Sequence, residues 1–326
     1  MTAPALVIGS RGSDLALWQA KWVQNALRKR FEGTRVDVRI IKTKGDRILD
    51  SPLSKIGDKG LFTREIENAL LNGEIDIAVH SLKDLPTELP QGLIIGAMCE
   101  REDVRDVFIP HPRNPLKKLL DQVRGSTIAT GSLRRRCQLL YSRPDFQIVD
   151  VRGNLNTRVK KLEESDWAGM ILARAGVVRL GWDRLIGETL SPEEMLPAVG
   201  QGALAIEARD GDRKIGPYVS GLHHEATARC AHAERALLHR LEGGCQIPIG
   251  ALGRIEPDDG NLIRLDAVVG SLDGRKVVRG SMKGVSSDAD ALGRRLAEQL
   301  LADGADEILL GIRRAAAGTD FRTIDV

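Results

Sequence analysis

Ser126-Thr127-Ile128-Ala129-Thr130-Gly131-Ser132-Leu133-Arg134-Arg135 passes from a short apolar run into a turn of small hydroxyl residues, then into a basic segment. A brief apolar run, a Gly/Ser break and a renewed helical pattern read as buried strand, loop and helix start. The same rhythm stands at the beginning of the chain. Ala5–Ile8 leads through Gly9-Ser10-Arg11-Gly12-Ser13 into a helix where Leu15, Trp18, Trp22 and Ala26 recur at helical spacing and predict its buried face. Val36, Val38 and Ile40 alternate as a strand does, and Ile75–Val79 and Leu93–Met98 read as further buried strands, with a helix near Thr63–Leu71. After the Pro-marked stretch Pro110–Pro115 the pattern restarts, with Gln147–Val151 and Gly169–Leu172 as later strands. Strands alternating with helices predict an α/β fold of two lobes with largely parallel sheets. Ligands of such sheets lie outside the carboxyl ends of the strands.

From His223 the pattern changes. A helix through Ala226, Cys230, Ala233, Leu237 and Leu241 stops at Gly243-Gly244. Three strand-like segments follow, near Ile249–Ile255, Leu262–Val269 and Val277–Met282, and an amphipathic helix with Leu292, Leu296 and Leu300. This is a small α+β unit, with Cys245 between its first helix and first strand. A length of 326 residues fits two or three domains. Lys+Arg 48 against Asp+Glu 45 leaves a net charge of +3, too balanced for a nucleic-acid coat, and 3% aromatics offers few stacking platforms. Cys99, Cys137, Cys230 and Cys245 form no C-x-x-C pair and have no His at ligand spacing, which argues against zinc. The start, MTAPALVIGS, lacks a signal peptide's basic segment and long apolar run, and no run approaches the roughly 18 apolar residues of a membrane span. The expectation is a cytoplasmic protein without disulfides.

Arg11, Ser13, Lys55, Lys59, Lys83, Arg134, Arg135, Arg152, Arg158 and Arg179 fall in or beside strand-to-helix loops, where Thr130, Ser132 and helix amides add donors. Arginine grips carboxylates through paired charge-assisted hydrogen bonds, and phosphate would suit these loops equally. A solvated basic surface is the plainer alternative. No G-x-x-x-x-G-K-[ST] is present. Asp84, just after the apolar strand Ile75–Val79, reads either as an ionised carboxylate for charge stabilisation and proton transfer or as a helix cap or partner of Lys83. Cys245 lies outside any periodic apolar pattern, past a helix C-terminus that disfavours a thiolate. It reads either as a small buried hydrophobe or as a thiol that bonds once and stays bonded, while Cys230 and Cys99 read as small core hydrophobes.

Taken in order, several segments resemble the porphobilinogen deaminase family over nearly the whole chain. They are Arg11 with Ser13 and Leu15-Ala16, Lys55 through Lys59-Gly60-Leu61-Phe62, and His80-Ser81-Leu82-Lys83-Asp84. Thr130-Gly131-Ser132-Leu133-Arg134-Arg135, Arg152-Gly153-Asn154, Leu196-Pro197-Ala198-Val199-Gly200-Gln201-Gly202 and Glu242-Gly243-Gly244-Cys245-Gln246 complete the set. The resemblance implies a cytoplasmic, monomeric transferase of tetrapyrrole biosynthesis that acts on porphobilinogen, with no nucleic-acid or membrane partner. It joins four porphobilinogen molecules head to tail with loss of ammonia, and water then frees hydroxymethylbilane. It implies one dipyrromethane cofactor per chain, held by a thioether to Cys245, with no metal. It implies two lobes like those of a solute-binding protein plus a small α+β domain: 1–101 with 201–220, 106–198, and 222–326. Asp84 is the implied catalytic group. Arg11, Ser13, Ser81, Lys83, Thr130, Ser132, Arg134, Arg135, Arg152, Gly153, Arg158, Arg179 and Gln201 are implied binding residues, with Lys55 and Lys59 on a covering loop. Asp14 and Arg174 depart from many relatives, which carry glutamine and proline around the serine and a neutral residue at the second position. A two-lobed anion receptor or regulator without catalysis is the competing expectation.

Overall fold

The computed structural model describes residues 5–47, 62–241 and 247–318. Its strands are β1 (Ala5–Ser10), β2 (Arg35–Ile40), β3 (Ile77–Ser81), β4 (Leu93–Met98), β5 (Asp106–Pro110), β6 (Thr127–Ala129) and β7 (Gln147–Val149), followed by β8 (Gly169–Ala173), β9 (Glu188–Thr189), β10 (Leu204–Arg209), β11 (Ile249–Glu256), β12 (Asp259–Gly270) and β13 (Val277–Val285). They form two five-stranded sheets, ordered β2-β1-β3-β10-β4 and β7-β6-β8-β5-β9, and a three-stranded sheet, β11-β12-β13.

The two large sheets share one plan. Four strands of each run in one direction, and the strand fourth in order is reversed, antiparallel to both neighbours. The expectation of largely parallel sheets therefore holds except for one reversed strand in each, whose cause lies in the chain path. After β4 the chain crosses to the second lobe and enters as β5; after β9 it returns and enters the first lobe as β10. Each reversed strand is the one that follows a crossing. β5 and β9 escape a sequence reading because Pro110 closes the first, where it resembles a boundary, and the second is only two residues long.

Packing follows the periodicities, with one shift of face. Helix Asp14–Arg30 buries Gln19, Ala20, Val23 and Leu27, and its apolar members pack on Leu6, Ile8, Val36 and Ile77. The predicted face of Leu15, Trp18, Trp22 and Ala26 is thus displaced around the helix, and Trp22 is 38% exposed. The sheet takes the small and branched residues, leaving Leu15 and Trp18 for the cleft edge. In the second lobe, alternate residues of β5 feed opposite cores: Val107 and Ile109 on one face, Phe108 on the other. A sheet covered on both faces explains its uninterrupted apolar strands. In the third unit, helices Glu225–Arg240 and Ala289–Leu300 lay Leu237, Leu292, Leu296 and Leu300 over Ile263 and Leu265.

The return crossing demands glycine. Gly200 and Gly202 have φ of 72° and 91°, values that L side chains adopt only with strain. A Cβ on Gly200 would lie 2.8 Å from Leu82 Cγ, and one on Gly202 would strike the carbonyl oxygen of Glu102 on the outgoing crossing. Gly202→Ala is accordingly expected to destabilise the protein by about 1–3 kcal/mol, read as a lower urea midpoint; an unchanged midpoint would contradict the close approach of the two crossings.

Candidate active site

The lobes meet over a cavity of about 80 Å³ whose lining includes Leu15, Gln19, Ser81 and Lys83 from the first lobe and Arg135, Leu155, Arg158 and Arg179 from the second. Each cation arrives by a short structural route. Ser81 ends β3, and the chain turns at once into the 3-10 turn Leu82–Asp84. Buried Leu82 anchors that turn, leaving Asp84 exposed beside Lys83. Ser132 caps helix Leu133–Ser142 by accepting from the Arg135 amide, and Thr130 accepts from the Ser132 amide, so the turn after β6 is locked. Asn154 caps helix Leu155–Glu163, which carries Arg158. Helix Arg174–Arg179 follows β8 and ends with Arg179.

Arg134 and Arg135 are buried, and both pair with Asp106 at the head of β5. Arg134 Nη1 donates to Asp106 Oδ2 and Arg135 Nη2 to Oδ1, each at 2.8 Å. Gln201 Nε2 donates to the same Oδ1 at 2.8 Å. Asp106 is fully buried. Burial alone would raise its pKa, but the two guanidiniums outweigh that and hold the carboxyl well below its usual range. Arg134 also donates to the Leu196 carbonyl and Arg135 to that of Ile171, while the Nε atoms of both are buried without a hydrogen-bond partner among the described residues. Lys83 Nζ reaches Gln201 Oε1 at 3.4 Å. Burial, opposed by Asp84 and reinforced by Arg135, lowers Lys83 to about 8. Arg158 falls to about 10, through burial and then its neighbours Arg135 and Arg152.

The remaining predicted positions scatter around this centre. Arg11 stacks on Phe62, 4.3 Å from the ring centroid, and Ser13 caps helix Asp14–Arg30. Arg152 pairs with Asp150, and Gly153, at φ 108°, offers its carbonyl to Arg158. Arg179 donates to the Gly202 carbonyl at 2.7 Å and lies near Trp18. Asp14 accepts from Asn156 across the lobes at 3.0 Å, and Arg174 pairs with Asp103. Lys55, Lys59 and Cys245 lie outside the described residues. Burial raises the thiols of Cys99 to about 12 and of Cys137 and Cys230 to about 11, which leaves these three as inert core groups.

Several participants carry no sequence signal of function. Gln19 donates to Ser81 at 2.9 Å, and its only mark is a polar side chain on a buried helix face. Glu234, fully buried on helix Glu225–Arg240, accepts from Arg101 at 2.5 and 3.1 Å and from the amides of Gly200 and Gly253. Its neighbour Arg235 donates to the carbonyls of Pro86 and Thr87, just beyond Asp84. The third unit therefore grips both the crossings and the chain leaving the Asp84 turn.

Lys83 yields a stability test. Its folded pKa lies below the ordinary lysine value, so the unfolded chain binds more protons between about pH 8 and that value, and stability rises with pH across the window. Below pH 8 the cost of burying the ammonium is fully present. Lys83→Met is expected to raise the melting temperature of the unliganded protein at pH 7 by roughly 2–5 °C, with the difference shrinking as pH rises toward 10; a lowered melting temperature would contradict the crowding.

Comparison with known proteins places this chemistry. The family description "Porphobilinogen deaminase, dipyromethane cofactor binding domain" matches residues 6–216, and "Porphobilinogen deaminase, C-terminal domain" matches 228–302. Curated proteins named porphobilinogen deaminase are similar over almost the full length. That of Chloroherpeton thalassium is 50% identical over 95% of this chain and 98% of its own. That of Chlorobium phaeobacteroides is 52% identical with the same coverage, and that of Desulfitobacterium hafniense 53% over 94% and 97%. Among solved structures, the periplasmic aliphatic sulphonate binding protein SsuA from Escherichia coli is 16% identical, with 74% of this chain and 71% of that one covered and a TM-score of 0.40.

Proposed function

The chain belongs to the porphobilinogen deaminase family, and on that premise we propose that Asp84 is its catalytic carboxylate, Cys245 its attachment point for dipyrromethane, and the cations around the cleft its carboxylate receptors. The reaction is that of a hydroxymethylbilane synthase: stepwise condensation of porphobilinogen with loss of ammonia, then hydrolysis. The observation that carries this reading is the convergence of Lys83, Arg135, Arg158 and Arg179 on one cavity. A depressed lysine and a depressed arginine there call for an anionic ligand.

The described residues fit the cofactor. Pyrroles bearing acetate and propionate arms would satisfy the cations facing the cavity. Ser81 lines the cavity, Arg152, Thr130 and Ser132 join it in the proposed set, and Arg11 with Ser13 flanks the first lobe's helix start. Lys55 and Lys59 complete the proposed set, and Arg134 and Gln201 act from behind it. When bound, the dipyrromethane supplies the pyrrole carbon from which the product chain grows.

The residues of this chain do the rest. The Asp84 carboxylate faces the pyrrole N–H of incoming porphobilinogen and stabilises the positive charge that develops as the aminomethyl C–N bond breaks and ammonia departs. The same carboxylate takes up the proton released when the new carbon–carbon bond restores the aromatic ring. Each addition brings two more carboxylates, and the cations neutralise them. A cavity of about 80 Å³ holds far less than a growing oligopyrrole, so the lobes part as the product lengthens, and the paired crossings are the natural hinge. We further infer three units, 1–101 with 201–220, 106–198 and 222–326, in a cytoplasmic monomer; among the described residues no helix is long and apolar enough to cross a membrane. The receptor reading leaves unexplained why an acid is exposed beside Lys83 on a turn anchored by buried Leu82.

Two measurements test this assignment. Intact mass under denaturing conditions should exceed the polypeptide mass by one dipyrromethane, and Cys245→Ala should return it to the bare chain; an active protein at bare mass would refute the attachment. Asp84→Ala should keep the adduct yet lose at least about a hundredfold in kcat; near-normal turnover would remove Asp84 from the chemistry.

A further inference from the structure

Asp106 stands at the centre of the cation cluster without lining the cavity. It is fully buried on the first residue of β5, where the chain has just crossed between lobes. Its two oxygens receive three donors at 2.8 Å, from Arg134, Arg135 and Gln201. Gln201 belongs to the return crossing and is itself fully buried. Its second anchor is the Val104 carbonyl at 2.7 Å, and its amide oxygen faces Lys83. One carboxylate thus connects guanidiniums of the second lobe to the ammonium of the first.

We propose that Asp106 is a positioning residue, which holds Arg135 and, through Gln201, Lys83 at the separation that receives the carboxylates of porphobilinogen. This rests on the function assigned above. The physical case turns on sign. A buried carboxylate weakens the attraction of the cleft for anions, so a site built only for positive potential would do better without it. Its presence is useful if the cations must be held apart and aimed, since flexible like charges would otherwise swing away from each other. Apolar replacement of a buried ion pair is often neutral or stabilising, so stability alone does not require the charge.

The test is Asp106→Asn, which keeps shape and removes the charge, compared with wild type as loaded enzyme. Thermal unfolding, intact mass and the pH dependence of kcat/KM are followed together. Positioning predicts a folded variant with a smaller fraction carrying the adduct and a KM for porphobilinogen raised about tenfold or more. The alkaline limb of kcat/KM also moves to lower pH, because Lys83, facing Arg134, Arg135, Asp84 and the Gln201 amide, loses one of its two carboxylate neighbours. If potential alone governs, KM falls, and the proposal is wrong. A lower melting temperature with unchanged KM, adduct and pH limb makes Asp106 merely structural and is equally fatal. Should Asp106→Asn not fold, Gln201→Asn severs the arm to Lys83 without orphaning a charge; it must raise KM with kcat retained, and a normal KM overturns the proposal. Wild-type protein without adduct or turnover would instead remove the assigned function itself.

Discussion

Like charges crowded into a low-dielectric cleft are the constraint on which this structure depends. Burial, and then the like charge of Arg135 and its neighbours, lowers the proton affinity of Lys83, Arg134 and Arg158. Left alone, such a group would push the lobes apart or drain charge by deprotonation. One buried carboxylate, Asp106, pairs with Arg134 and Arg135, and a second, Asp84, lies at the surface beside Lys83. Removing one partner of a buried pair of this kind typically costs about 3–5 kcal/mol, a large share of the stability of an ordinary protein. The chain accepts that cost where the ligand supplies the missing negative charge.

Topology makes the arrangement possible. Because β5 and β10 each follow a crossing, the two connecting segments run side by side between the lobes, and Glu102, Gly200, Gln201 and Gly202 meet there. Backbone at such a junction must be tightly satisfied. Arg101 joins the Gln201 carbonyl to Glu234, and Arg179 takes the Gly202 carbonyl. The third unit is tied to this junction through Glu234 and to the Asp84 turn through Arg235. Its first helix leads directly toward Cys245. The third unit is therefore connected both to the crossings and to the turn that carries the proposed catalytic Asp84.

Much of this was legible in the sequence, and the misses have physical causes. Strand–loop–helix rhythm gave the lobes, since apolar runs and glycine breaks are local signals. Lys83, Arg135, Arg158 and Arg179 could be singled out as a set because they recur at equivalent loop ends in two lobes, though each alone would pass for a solvated surface charge. Asp106 could not: an acid opening a short apolar run looks like a strand edge, and its three partners lie 28, 29 and 95 residues away. Gln19 was hidden by its setting on a helix whose buried face was read one step off. Arg134 shows the limit from the other side. Its position in the motif matches that of Arg135, yet it spends its bonds on Asp106 and the Leu196 carbonyl and supports the cavity from behind.

The most direct test of a polyanion cleft assembled across two lobes is a crystal structure of the loaded enzyme. The account predicts pyrrole carboxylates within hydrogen-bond distance of Lys83, Arg135 and Arg158, with Asp106 still bridging Arg134 and Arg135. Carboxylates turned to solvent while those cations keep only protein partners would contradict it.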